Sequence, residues 1–328
     1  AEAFAEVHGK LPVNLKFVIE GEEEIGSVNL EDFIRGHVDL LKTDTVLISD
    51  TAFFARGVPS ICYGLRGLAY MEIRLTGPKG DLHSGSFGGP VANPAFVLSR
   101  IVASMKDEHG RVTIPGFYDD VVPLTQREMD EWAALPFDVE AYKAELGVAA
   151  LDGEEGFTPL EQVWARPTLE VNGLGSGFTG EGAKTVLPST AMAKISMRLV
   201  PDQDYRKIET LFEDYVKSVA PPTVQVEIKS MHGGKPWVAS LDDPALVTAA
   251  RAIEAGFGKR PVFQREGGSI PIVATFTELL DAPCLLMGIG LPDENAHAPN
   301  ERLDLDNFFG GIRSSAFFLE EFSTAAHS

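Results

Sequence analysis

Cysteine is almost absent from this sequence: Cys62 and Cys284 are the only two in 328 residues. Each sits in an apolar run, Cys62 in residues 59–64 and Cys284 in residues 282–288. That setting argues against a disulfide framework and for buried thiols in a reducing, cytoplasmic setting. Cations are scarce too, with 28 Lys and Arg against 48 Asp and Glu, a formal net charge of −20. A surface this poor in Lys and Arg cannot neutralise a phosphate backbone, so nucleic-acid binding is not expected, and the charge reads as solubility. No run reaches the ~18 consecutive apolar residues of a membrane span, so no membrane partner is expected either. The first ten residues lack the basic and apolar regions of a secretory signal. They read instead as the end of an interrupted helix, with Phe4 and Val7 on one face.

What is present is an α/β rhythm. Leu15, Phe17 and Ile19 alternate with their neighbours and predict a strand over residues 14–20, ending in a dense acidic turn. Asn29 is a candidate N-cap for a helix carrying Leu30, Phe33, Ile34, Val38 and Leu41. A short apolar run, residues 46–49, then stops at Asp50. Strand, acidic loop, helix, strand describes a layer with largely parallel strands. Beyond Arg66 the pattern changes: Met71, Ile73 and Leu75 alternate with Glu72, Arg74 and Thr76, the mark of a sheet with one wet face. Asn93-Pro94 opens a helix, and a strand near residues 191–200, a helix through Ile208, Phe212 and Val219, and a strand around Val226 follow. Two β-α-β passes suggest a ferredoxin-like module set into the larger domain. Residues 107–166 are rich in Pro and Gly and give no clear pattern. After Trp237 the α/β rhythm returns, with helices near residues 243–255 and 306–322 and a buried strand over 284–289.

The most informative octet is Glu20-Gly21-Glu22-Glu23-Glu24-Ile25-Gly26-Ser27. Four glutamates in five residues are ordinarily a solvated cluster. Here they follow a predicted strand, and open α/β sheets bind ligands beyond the C-terminal ends of their strands. Asp50 holds the equivalent place after the next strand, and His297 follows the strand that ends near Ile289. Carboxylates and an imidazole on one sheet edge suit a divalent metal such as zinc. Adjacent glutamates can also divide labour, one ligating and its neighbour moving a proton.

Eight segments, in order, resemble the M20 metallopeptidase family, in its branch of nonspecific dipeptidases: the octet, Ile48-Ser49-Asp50, Tyr63-Gly64-Leu65-Arg66-Gly67, Asp81-Leu82-His83-Ser84-Gly85, Lys184-Thr185-Val186-Leu187-Pro188, Arg198-Leu199-Val200-Pro201, Arg265-Glu266-Gly267-Gly268-Ser269-Ile270-Pro271 and Ala296-His297. The resemblance implies hydrolysis of dipeptides or short peptides by a water activated between two divalent ions, zinc or manganese. It makes Glu23 the general base, Glu24 and His297 ligands of one ion, and Asp50 a ligand of the other. It gives His83 an oxyanion-stabilising role in the active site of a partner subunit, which implies a homodimer. Arg198 would hold the substrate's terminal carboxylate, and Thr185, Gly268 and Ser269 would contact substrate. His232 would line the same cleft, and Glu266 would either meet a free amino terminus or serve a structural ion pair. The family pattern also contains an HxD segment upstream of the octet, supplying a metal histidine and a bridging aspartate. Nothing before Leu11 supplies either, so the expectation is a chain lacking the family's N-terminal segment, with too few ligands of its own for a paired metal site.

The architecture expected is therefore a discontinuous catalytic α/β domain, residues 1–65 and 238–328, interrupted by a lid and dimerisation domain, residues 66–237. Two rival functions share this fold: an M20 amidohydrolase acting on N-acyl amino acids, and a noncatalytic binding homologue. Keeping Glu23, Glu24, Asp50 and His297 together argues against the second, because a scaffold has no physical need for them.

Overall fold

The computed structural model of the chain describes residues 1–23 and 27–325. The larger domain begins with α1 (Glu2–His8), α2 (Leu30–Gly36), α3 (Val38–Leu41), β1 (Val46–Ile48) and β2 (Ser60–Leu65). The chain then crosses into a second domain with β3 (Gly67–Thr76), β4 (Leu82–His83), α4 (Ser84–Phe87) and α5 (Pro94–Ala103). An excursion follows, made of α6 (Gln126–Ala133), α7 (Val139–Leu146) and α8 (Pro159–Trp164). The second domain resumes with β5 (Thr168–Ser176), β6 (Val186–Leu187), β7 (Thr190–Leu199), α9 (Tyr205–Val219) and β8 (Gln225–Gly234). Return to the first domain brings β9 (Trp237–Val238), α10 (Pro244–Phe257), β10 (Val262–Glu266), α11 (Pro271–Leu280), β11 (Cys284–Leu286) and α12 (Leu305–Ala325).

The first sheet runs β1-β11-β2-β10, with β9 attached to β2. Its two parallel pairs, β1 with β11 and β2 with β10, meet through an antiparallel contact between Leu286 and Cys62. All six residues of β2 are buried because both faces of the strand are covered. Ile61 and Tyr63 face a core shared with α10 and α12, while Cys62 between them faces one shared with α2 and α11, as does Leu65 beyond the register shift at Tyr63. Successive side chains on opposite faces are what a strand's period of two requires. Both cysteines are free and buried, and among the described residues no helix is long and apolar enough to cross a membrane.

The second sheet is antiparallel in the order β5-β7-β3-β8. With α5 after β3 and α9 after β7 it is the expected β-α-β-β-α-β module, its core lined by Ile73, Ile195, Met197, Ile101 and Phe212. The predicted start of α5 is realised: Asn93 Oδ1 accepts from the Ala95 amide at 2.9 Å, with Pro94 at the first helical position.

Three expectations are corrected. Residues 14–20 form no strand; Phe17 is 78% and Ile19 91% exposed. Alternation supplies two faces, but a strand also needs a partner for its backbone ladder, and among the described residues none pairs with this segment. Asn29 does not cap α2 with its side chain, because its amide donates instead to both Glu22 carboxylate oxygens, at 2.8 and 2.9 Å. The helix predicted through Leu41 breaks at His37, where φ is −131°.

The expected lid of residues 66–237 contains a segment that packs elsewhere. Trp132, Leu135 and Trp164, from the unpatterned stretch, join the core of Ile61, Tyr63 and Leu246 in the first domain. Capping boxes start α6 at Thr125 with Glu128 and α8 at Thr158 with Glu161. Glu154 ties the excursion to the second domain through Arg166 (2.7 Å) and Arg111 (3.0 Å). The two chain crossings, at Arg66 and at residues 234–237, are tightly packed. A Cβ on Gly67 would lie 2.7 Å from the Gly234 carbonyl oxygen and from Pro236.

Candidate active site

Asp50 follows β1 directly, and the segment after it is stitched to the segment after β11. Ser49 Oγ donates to the Met287 carbonyl (2.8 Å), the Gly288 amide to Thr51 Oγ1 (3.0 Å), and the Phe53 amide to the Gly290 carbonyl (2.8 Å). A side chain at Gly288 would put its Cβ 1.8 Å from the Thr51 carbonyl oxygen, so only glycine permits this approach. His297 comes next in a loop where Asn295, His297 and Asn300 all take the left-handed conformation, with φ of 56°, 59° and 64°. Part of the acidic octet folds onto itself: Ser27 Oγ donates to Glu20 Oε1 (2.9 Å) and the Ser27 amide to the Glu22 carbonyl (2.8 Å). Glu23 belongs to that loop, and Glu24 lies outside the described residues.

Glu266 closes β10 just after a register shift between Gln264 and Arg265, an irregularity that re-aims the side chains beyond it. Burial pushes its carboxyl up from the ordinary range, and the negative charge of Asp50 pushes the same way. Hydrogen bonds from the Gln264 side chain and the Ala52 backbone offset this only in part. The opposite face of the bulge is charge-compensated. Arg265 pairs with Glu128 of α6, which also accepts from the Tyr63 hydroxyl (2.8 Å), and its guanidinium stands 5.2 Å from the Tyr63 ring centre and 5.6 Å from that of Trp132. Burial opposes ionisation of Glu128, but Thr125 and the Arg265 charge hold its carboxyl below the usual value. The structural ion pair that sequence offered for Glu266 thus belongs to its neighbour.

Past Glu266 the chain turns through Gly267, Gly268 and Ser269, and two arginines converge there. Arg198 of β7 donates from Nη1 to Ser269 Oγ at 2.9 Å, and that hydroxyl donates to the Arg66 carbonyl at 2.5 Å. Arg66 clasps the loop with its amide on the Gly268 carbonyl (3.1 Å) and its Nε on the Gly267 carbonyl (3.1 Å). Burial, with the charge of Arg198 next, lowers the Arg66 pKa to about 10; burial lowers that of Arg198 as well. Arg66 lies in a motif to which the family resemblance gives no role, and its signal in the sequence is a cation at the junction of two strands, where the chain passes between domains.

His83 and Thr185 are brought together by the β4–β6 pairing, with His83 opposite Val186. The Gly85 amide donates to His83 Nδ1 at 3.1 Å, so a neutral imidazole carries its proton on Nε2, 3.3 Å from Thr185 Oγ1. Asp81 accepts from the Ser189 amide and hydroxyl, which pin this hairpin and hold its carboxyl below the ordinary range. His232, on β8, stacks on Tyr70 with ring centres 5.0 Å apart. No hydrogen bond among the described residues links His83, Thr185 or His232 to the Asp50–Glu266 edge or to the arginine pair.

The donor types fit a divalent cation in part. Asp50 and His297 are an oxygen and a nitrogen donor, and a cation would relieve the crowding of the two carboxylates at Asp50 and Glu266. Among the described residues no three His, Cys, Asp or Glu side chains form a complete metal-binding group.

Residues 63–224 match the family model of a peptidase dimerisation domain. The Cys-Gly metallodipeptidase dug1 of Schizosaccharomyces pombe is 36% identical over 330 residues, covering 99% of this chain and 69% of the relative. The solved structure of the di-peptidase Dug1p of Saccharomyces cerevisiae matches with a TM-score of 0.82 and 35% identity, over 98% of this chain and 68% of that one. An M20 family metallo-carboxypeptidase, Sso-CP2 of Sulfolobus solfataricus, matches with a TM-score of 0.84 and 34% identity, over 93% of this chain and 69% of its own.

Proposed function

The chain belongs to the M20 metallopeptidase family, and from that premise we propose that it hydrolyses the peptide bond of dipeptides and other short peptides. One observation carries the reading: an acidic edge, exposed at Asp50 and half-buried at Glu266, and a basic pair meet at the single short segment from Glu266 to Ser269. Three residue steps span at most ~11 Å, and a dipeptide spans ~7 Å, so a substrate reaching both ends is short. The relatives named as a metallodipeptidase and a metallo-carboxypeptidase both cleave beside a free C-terminal carboxylate, the group a guanidinium binds best.

In this reading Arg198 and Ser269 hold the terminal carboxylate, with the glycine at position 268 letting the substrate backbone approach, and Glu266 receives the free amino terminus. Glu23 takes a proton from the attacking water and passes it to the leaving amine. His83 from a second copy of the chain, supported by Thr185, donates its Nε2–H to the oxygen that becomes negative as water adds. His232, fixed by Tyr70, lines the same cleft. Two divalent ions, zinc or manganese, held by Glu24 with His297 and by Asp50, would supply Lewis acidity at the scissile carbonyl.

The second copy would dock through the smaller domain. Its β5 edge exposes Val171 and Leu174, and Phe96 on the neighbouring α5 is 69% exposed, whereas the opposite edge, β8, presents Glu227 and Lys229. An apolar edge strand favours strand-to-strand pairing with its own copy. Two free buried thiols suit a cytoplasmic location.

An assay of the metal-loaded enzyme with a dipeptide, its N-acetylated form and an N-acyl amino acid tests the proposal. Preference for the free dipeptide by about 100-fold or more in kcat/KM is expected, a gap typical when a buried charged group loses its partner. Preference for the acylated compounds would instead assign an amidohydrolase.

A further inference from the structure

Arg66 belongs to the second domain's junction, yet its side chain lies in the site loop beside Arg198. Burial first, then the charge of Arg198, makes Arg66 easier to discharge than a free arginine. Like charges held together and partly buried are unfavourable unless an anion offsets them. Two other largely covered arginines have carboxylate partners, Arg166 with Glu154 and Arg265 with Glu128. Here the partners are neutral: Arg198 has the Ser269 hydroxyl, and Arg66 has the carbonyls of Gly267 and Arg166, the latter at 3.5 Å. Among the described residues the carboxylate with a stabilising charge effect on Arg66 is Glu170, which is itself bonded to Lys106 at 3.0 Å.

The loop geometry keeps Arg66 in that position. Its Nη2 would sit 2.9 Å from a Cβ on Gly267, so the loop residue must be glycine for the guanidinium to lie across it. Its Nε bond to Gly267 orients the planar fork, and its backbone both accepts from Ser269 and donates to Gly268. A residue needed only to join two strands would not require this clasp.

Resting on the dipeptidase reading above, we propose that Arg66 is a specificity-determining residue, the second cation of a two-guanidinium subsite that takes the substrate's C-terminal carboxylate together with Arg198. A carboxylate there neutralises two half-buried cations at once, whereas an amide or ester leaves both uncompensated. The discrimination therefore exceeds what one arginine would supply. It appears in KM, because the carboxylate is remote from the reacting bond and is held equally in ground and transition states.

The test compares a dipeptide with its C-terminal amide, on the metal-loaded enzyme and on its Arg66→Gln and Arg66→Lys variants. The unaltered enzyme should prefer the acid by at least about 100-fold. Arg66→Gln should cut that preference by about tenfold or more through KM for the acid, leaving the amide nearly unchanged, and Arg66→Lys should keep it within about threefold. Equal losses on both substrates, or equal behaviour of the Gln and Lys variants, would overturn the role. Calorimetric binding of a free amino acid against its amide reads the same preference without turnover, so an enzyme inactive on dipeptides would sink the functional reading alone. Should Arg66→Gln fail to fold, the structure of the unaltered protein with a bound free amino acid decides the matter: its carboxylate should contact both guanidiniums, and a carboxylate held by Arg198 alone would overturn the proposal.

Discussion

The two ends of the Glu266–Ser269 segment are opposites in sign and alike in physics. At one end Asp50 and the half-buried Glu266 share an edge where, among the described residues, no Lys or Arg charge acts on Glu266. At the other, Arg66 and Arg198 share a loop whose hydrogen bonds to them are all neutral. Next along the same strand the charges are paired instead, as Glu128 and Arg265 show. Like charges without an opposite partner thus gather at the strand end where a ligand would arrive. The acidic end calls for a cation and the basic end for an anion, and a zwitterionic dipeptide with metal ions answers both.

The sharpest break in that comparison is at Glu23, which is assigned proton transfer and no share in holding charge. Glu23→Gln in the metal-loaded enzyme should lower kcat by about 10²-fold or more with bound metal unchanged. Activity within about tenfold of normal, or loss of metal measured on the same sample, would move Glu23 to another role. Next comes the contribution from the second copy. Mixing a His83→Ala protein with a Glu23→Gln protein should restore measurable turnover, since one site of the hybrid dimer combines intact Glu23 with intact His83. Hybrids shown to form by native mass spectrometry, yet inactive, would remove His83 from the partner's site.

The compensated pair should respond in the opposite currency, stability. Glu128→Ala strands a buried Arg265 and should cost about 3–5 kcal/mol in denaturant unfolding. Tyr63→Phe, which removes one hydrogen bond to the same carboxylate, should cost about 1 kcal/mol. The smallest effect is at the acidic end. Because the folded-state pKa of Glu266 is raised above its ordinary 4.5, the native state binds this proton more tightly than the unfolded chain does. Its contribution to stability is full below pH 4.5 and is lost as pH rises through the folded value. Glu266→Gln should therefore match the unaltered protein in acid and melt about 2–4 °C higher at neutral pH, while losing activity. A lower melting temperature at pH 7 would mean that a cation already offsets this carboxylate.

Much of this layout was legible in the sequence because it rests on local signals. The wet-faced alternation in β3 and β7, the Asn93-Pro94 start of α5 and the position of Asp50 at a strand end each depend on residues adjacent in the chain. The paired placement of Arg198 and Ser269 was implied by family resemblance and is joined in space by one 2.9 Å bond. Periodicity could not reveal that Trp132 and Trp164 leave their own module for another core, because both lie in short helices opened by capping boxes amid Pro and Gly. Nor could it show that residues 14–20, patterned as a strand, lack a partner. Arg66 was visible as a residue and invisible as a site, since its meaning depends on Arg198, 132 positions later in the chain.

The most direct test of opposite charge at the two ends is a crystal structure of the zinc-loaded enzyme with a product amino acid, with zinc located by anomalous scattering. Zinc should lie beside Asp50 and His297, and the amino acid's carboxylate should contact both the Arg198 and Arg66 guanidiniums. A carboxylate bound at the Asp50 end, or an amino acid that leaves both arginines to solvent, would contradict the account.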